Sequence, residues 1–237
     1  MESLNQPPKT YFSGSTLKII ALLSMLVDHL GAFVLQPWIN ANLFNPTIAT
    51  ESYITLYNMT RAIGRLAFPL FAFLIVQGVI HTRNIEKYLW RLGLFALISE
   101  IPFDLARSQT FFDWQHQNVY FTLFLGLLTI AIMKRYSHLL IHLGTIIITG
   151  YISFILHTDY SYIGVLLIAM LYNLNDQRLI QSFAGGLYYL LYSPWGAPSF
   201  VLTYFYNGKR GKLNSRIFYL FYPVHLFILA LIRYYFI

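Results

Sequence analysis

The sequence predicts an all-α, polytopic bundle of transmembrane helices, and three observations predict it. Hydrophobic residues make up 57% of the 237 residues and charged residues only 11%, with a mean hydropathy of +0.55. A soluble domain of this length cannot bury so many apolar side chains. The apolar stretches are of helix length, and none alternates over ten residues as an outer-membrane barrel strand does. A helix satisfies its own backbone in hydrocarbon, so such stretches read as spans.

The chain divides into a polar cytoplasmic tail over 1–16 and a single membrane domain over 17–237. The first span, 17–36, starts at Lys18 and lacks a small-residue cleavage site, so it reads as an uncleaved span. The second, 62–81, carries Arg61 and Arg65 at its start, four apart and therefore on one face. The third, 88–103, follows Arg83 and Lys87 and holds Arg91, again one face. The fourth, 119–133, begins after Asn118, a capping residue type. The fifth and sixth, 139–156 and 161–173, are separated by a turn at Asp159. The seventh, 179–192, holds Ala184-Gly-Gly186, which fits a close helix contact. The Pro/Gly break over Tyr192-Ser-Pro-Trp-Gly-Ala-Pro198 marks a tight hairpin or half-span before the eighth, 196–207. The ninth, 217–236, carries Tyr219, Tyr222, Pro223 and His225. About nine spans result, with eight to ten compatible.

Lysine and arginine placement orients the bundle. With the N-terminus in the cytoplasm, Lys9, Lys18, Arg83, Lys87, Lys134, Arg135, Arg178, Lys209, Arg210, Lys212 and Arg216 fall inside, and Arg61, Arg65, Arg107 and Arg233 fall outside. The net charge of +7 is therefore topology, and no nucleic-acid partner is expected. The absence of cysteine excludes disulfides, a thiol nucleophile and cysteine metal sites.

Asp28 and His29 stand in the middle of the apolar first span. Ionisable groups at that depth cost several kcal/mol unless they face a protein interior or a watery recess, so they mark a functional site. His29 lies eleven residues beyond Lys18, about 16 Å up the helix at 1.5 Å per residue and on the same face. That places Lys18 at the cytoplasmic edge, His29 near mid-membrane, and His225 of the last span level with His29. Asp28 points about 100° away from His29, which suits it to hold Arg61 or Arg65. His81, His138, His142 and His157 fall at span ends, where a polar ring is ordinary, and Glu100 and Asp104 are expected to face outer water.

The strings Leu17-Lys-Ile-Ile-Ala-Leu-Leu-Ser-Met-Leu-Val-Asp-His-Leu-Gly31, Ile63-Gly-Arg-Leu-Ala-Phe-Pro-Leu-Phe-Ala-Phe73, Asn118-Val-Tyr-Phe-Thr-Leu123, Tyr206-Asn-Gly-Lys-Arg-Gly211 and Phe221-Tyr-Pro-Val-His-Leu226 resemble the signature blocks of the TraX family. The resemblance spans nearly the whole chain. Its best-known member is described as a pilin N-acetyltransferase. The Lys18-x10-His29 spacing is also similar to the basic-x10-His pattern of membrane enzymes that O-acetylate bacterial surface glycans. Both resemblances imply acyl transfer in a bacterial inner or plasma membrane; they leave the acceptor open between a pilin-like protein N-terminus and a surface glycan.

The residue types suit that chemistry independently. Transfer from acetyl-CoA needs a base, an oxyanion donor and cations for the nucleotide phosphates. His29 is the expected base or transient acyl carrier, with Asp28 and His225 as further catalytic candidates. Lys18, Arg83, Lys87, Arg91, Lys209 and Arg210 are the expected donor-binding cations. Arg61, Arg65, Asn118, Tyr222 and Asp159 are the expected acceptor-binding or oxyanion residues, and no metal is expected. Membrane lipids are the other expected partners. Two other classes fit part of the pattern: a proton-coupled transporter, which would usually show repeated halves, and a non-enzymatic membrane assembly protein, which would tolerate neutral residues at 28 and 29.

Overall fold

Ser13 opens the first helix by accepting a hydrogen bond from Thr16 N at 3.2 Å, and α1 runs Gly14–Leu30. The computed structural model describes residues 10–44, 50–212 and 215–237; residues 1–9, Lys9 among them, and the Arg216 side chain lie outside the described residues. Leu17, Ala21, Leu22 and Met25 bury one face of α1. The helix then widens into a π-turn over Gly31–Leu35, closed by Gln36 N–H donating to Gly31 O, and continues as α2, Gln36–Asn42. Pro37 has no N–H for the carbonyl four residues back, so the α pattern cannot carry on unaltered. Gly14–Asn42 is one rod of 29 residues, about 43 Å long.

α3 (Thr50–Gly64) and α4 (Ala67–His81) form a second rod, starting twelve residues earlier than the expected 62. It breaks at Arg65–Leu66. Pro69 explains the break, because it offers no N–H to Arg65 O and its ring crowds that carbonyl. Among the described residues three rods, Gly14–Asn42, Glu51–His81 and Ile217–Phe236, are long and apolar enough to cross a membrane.

α5 (Ile85–Ser108) leads to α6 (Val119–Arg135), whose Thr122, Leu123, Leu127, Thr129, Ile130 and Met133 are all buried. α7 (Leu139–Ile155) and α8 (Ser161–Asn173) pack beside it. Hydroxyl pairs join them to α6: Thr129 to Thr149 at 2.7 Å and Thr122 to Thr158 at 2.9 Å. α9 (Arg178–Tyr192) rises to a 3-10 turn over Pro194–Gly196, and α10 (Ser199–Tyr204) turns back. At six residues α10 is about 9 Å long, too short to cross a hydrocarbon core of about 30 Å. α9 and α10 make a hairpin, and Gly185 presses so closely on Phe200 that a Cβ there would overlap its ring. α11 (Ser215–Phe236) completes nine helical rods among the described residues. Pro223 leaves Tyr219 O without its helical donor, and the Tyr120 hydroxyl turns toward it at 3.4 Å.

One end of the bundle is tied by the segment before α1. Tyr11 N–H donates to Phe205 O at 2.9 Å, Asn207 N–H to Phe12 O at 2.9 Å and Gly14 N–H to Lys209 O at 2.8 Å. Residues 11–13 of the expected tail are thus built into the fold. Gly211 has φ +80° and lies against Ser15, where a Cβ would overlap; Gly208 has φ +73° with open space around it. Gly208→Ala is expected to cost only the left-handed backbone penalty of about 1–2 kcal/mol. Gly211→Ala should cost more and lower the thermal midpoint further, as read by melting both variants in detergent.

Candidate active site and the cavity beneath it

Asp28 sits where three small features of the sequence meet. Gly64 of α3 crosses α1 so closely that a Cβ on it would overlap the Asp28 carboxylate, and Gly31 takes the Thr60 side chain in the same way. Ser24 Oγ donates to Ile63 O at 2.6 Å and holds the crossing. Arg61, one turn before the break, then donates from Nη1 to Asp28 Oδ2 at 2.6 Å. Both side chains are mostly buried, 25% and 16% exposed, and Asp28 Oδ1 has no hydrogen-bond partner.

His29, on the neighbouring face, meets α11. Its Nδ1 lies 2.7 Å from Nε2 of His225, and His225 Nδ1 donates to the carbonyl of Phe221 at 2.7 Å. Phe33 and Tyr222 flank the His29 ring at 5.1 and 6.0 Å between centroids. His29 is crowded by protein yet keeps some accessible surface. Tyr222 is 2% exposed, and its hydroxyl has the Val119 backbone beside it but no partner in hydrogen-bond geometry.

Arg65 lies against the Tyr160 hydroxyl, and Tyr160 stacks on Phe68 at 3.7 Å. This contact places the turn between α7 and α8 level with the Asp28–Arg61 pair, as does the contact of a Gly196 Cβ position, 2.8 Å from Arg65 O, for the α9–α10 hairpin. His29 thus lies level with the ends of α6, α7 and α8, while the first rod continues for thirteen more residues to Asn42. Asp159 keeps accessible surface but is crowded, and that crowding raises its carboxyl pKa against the pull of Arg65, Arg107 and Arg61.

Below the histidines is a cavity of about 440 Å³ lined by Lys18, Arg83, Arg91 and Arg210 together with Tyr88, Tyr120, Tyr219 and Phe218. Lys18 Nζ stands 5.1 Å over the Phe218 ring. Of the six expected donor-binding cations, four share this cavity; Lys87 and Lys209 are exposed and do not line it. Tyr120 links the two regions, since it lines the cavity and packs edge-on against Tyr222 at 4.8 Å. The histidine pair and the cavity are one aromatic layer apart.

Asn118 is fully buried and its polar atoms are spent on structure. Oδ1 accepts from Tyr120 N at 3.0 Å, and Nδ2 donates to Ala96 O at 2.8 Å and to Glu100. Asp104, expected to face water, is 1% exposed and accepts from Asp113 N at 2.9 Å; the fold of loop 109–117 back over α5 covers it. The Ser108 hydroxyl and then Gln115 N–H hold the Asp113 carboxyl below the usual carboxylate range. Gly64, Tyr120 and Tyr160 were not among the expected site residues. Tyr120 was signalled by the string Asn118-Val-Tyr-Phe-Thr-Leu123, but nothing local says that it stands between the cavity and the ring of Tyr222.

A family model described as TraX protein matches residues 13–233. The chain is also similar to a protein of Dichelobacter nodosus described as probable fimbrial assembly protein FimC, serogroup H1. The two are 34% identical over 248 residues, covering 92% of this chain and 95% of that protein. No solved structure matches.

Proposed function

The chain belongs to the TraX family, and from that premise we propose that it is a membrane-embedded acyltransferase of the bacterial inner membrane, moving an acetyl group from cytoplasmic acetyl-CoA to an amine or hydroxyl acceptor. One observation carries the reading: the His29–His225 pair stands one aromatic layer above a cavity ringed by four cations. The cavity volume of about 440 Å³ lies within the ordinary range of small-molecule sites, about 300–1,000 Å³. Lys18, Arg83, Arg91 and Arg210 suit the phosphates of the donor, and the aromatic walls suit its pantetheine arm. The thioester then passes Tyr120 and Tyr222 to reach His29. His29 takes the proton of the acceptor N–H or O–H; the acceptor lone pair attacks the thioester carbonyl carbon. The C–S bond breaks, and the departing CoA thiolate receives that proton from His29. The Tyr222 hydroxyl is the candidate donor to the oxyanion formed in between. Arg61, Arg65 and Asp159, on the opposite side of the histidines from the cavity, suit the acceptor.

The relative's description as a fimbrial assembly protein supports a fimbrial subunit as that acceptor over a glycan. It also fits an assembly protein without catalysis, and donor binding separates the two. Lys18→Ala and Arg91→Ala are each expected to weaken acetyl-CoA binding to the detergent-purified protein roughly tenfold, about 1.4 kcal/mol per lost phosphate contact. Lys87→Ala, outside the cavity, should change it much less. Calorimetry with equal losses at all three positions, or none, would contradict the assignment of the cavity.

A further inference from the structure

We propose that His225 is a positioning residue that sets the tautomer of His29, leaving Nε2 of His29 as the unprotonated nitrogen of the site. A backbone carbonyl only accepts, so the 2.7 Å contact with Phe221 O places the proton of neutral His225 on Nδ1. Nε2 of His225 is then a lone pair, and its partner at 2.7 Å, Nδ1 of His29, supplies the proton between them. The two ring planes are 3° apart with centroids 5.0 Å apart. With the nitrogens at 2.7 Å, the rings lie edge to edge in one plane and the N–H points straight at its acceptor. Neutral His29 with its proton on Nδ1 carries a bare Nε2.

Packing keeps this order. The Phe221 ring lies on His225 at 4.8 Å, and Phe33 flanks His29 at 5.1 Å, so neither imidazole turns over without displacing a neighbour. Nε2 of His29 takes part in no hydrogen bond among the described residues, and the residue keeps some accessible surface. The arrangement follows a general rule for working imidazoles, in which the hydrogen bond at one nitrogen decides the state of the other. The carbonyl of Phe221 decides here, at second hand, through His225. The catalytic meaning rests on the transferase reading above, where the bare nitrogen takes the acceptor's proton; the proton placement itself does not.

The test is nitrogen NMR of 15N-histidine-labelled protein in detergent, with the His29 signals identified by their loss in His29→Gln, alongside acetyl-CoA turnover. Wild type is expected to show His29 protonated on Nδ1 and bare on Nε2. In His225→Leu nothing holds that proton, the Nε2–H form gains population, and turnover falls at least about hundredfold. His225→Gln can donate its amide N–H to Phe221 O and accept from His29 Nδ1 through its amide oxygen, so it should restore the tautomer and most of the turnover. An Nε2–H tautomer of His29 in wild type, or an unchanged tautomer in His225→Leu, overturns the proposal; the wild-type spectrum decides even if the leucine variant does not fold. The expected tautomer without any acetyl-CoA binding or turnover would instead overturn the transferase reading, and the positioning role with it.

Discussion

His29→Ala is expected to abolish acetyl transfer while the bundle stays folded. General-base catalysis contributes about 10²–10⁴-fold, and a histidine that carries the acyl group transiently contributes the whole rate. The structural cost is smaller. Alanine removes one hydrogen bond and leaves His225 Nε2 without its donor, about 1–3 kcal/mol for one buried acceptor. The Asp28–Arg61 pair, the Ser24–Ile63 bond and the apolar contacts of α1 remain. Turnover and a thermal melt on the same preparation separate the effects. An unfolded variant would assign His29 to the scaffold, whereas a folded variant with wild-type turnover would remove it from the chemistry.

Arg61→Ala has the opposite profile. It leaves Asp28 with both carboxylate oxygens unpartnered in a mostly buried place, and breaking such a pair from one side costs about 3–5 kcal/mol. Gly64→Ala should damage the same pair by a different route, because its Cβ overlaps the carboxylate and pushes it from Arg61. Asp28→Asn keeps the shape and removes the charge, so Arg61→Ala on that background is expected to cost much less than alone. A double-mutant cycle read by thermal or denaturant unfolding measures the coupling. Additive costs would mean that Asp28 and Arg61 do not depend on each other.

Much of this site is visible in the sequence because membrane depth exaggerates polar residues. Asp28 and His29 stand out from an apolar run, and the rise of a helix sets Lys18 one cavity-length below His29. The same arithmetic sets His225 level with His29, and the structure brings them into contact. What periodicity does not carry is the rotation of each helix about its axis against its neighbours. Arg83 and Arg91 line the cavity while Lys87, between them, stays in solvent, and a count of charges treats all three alike. Gly64 reads as an ordinary helix glycine until α1 and α3 are known to cross there. Pro69 announces a break near Arg65, but the hairpin turn that fills the gap comes from Gly196, 131 residues further on. Asp104 was misplaced because its cover is a folded loop, which hydropathy does not describe.

The most direct measurement is the release of free thiol from acetyl-CoA by the purified protein, wild type against His29→Ala, with a fimbrial subunit as acceptor. The chain has no cysteine, so it adds no thiol signal of its own. The expected result is saturable CoA release by wild type and none by a His29→Ala protein that still binds the donor. A well-folded wild-type protein that neither binds acetyl-CoA at millimolar concentration nor releases CoA would contradict the transferase reading and leave an assembly protein or a transporter in its place.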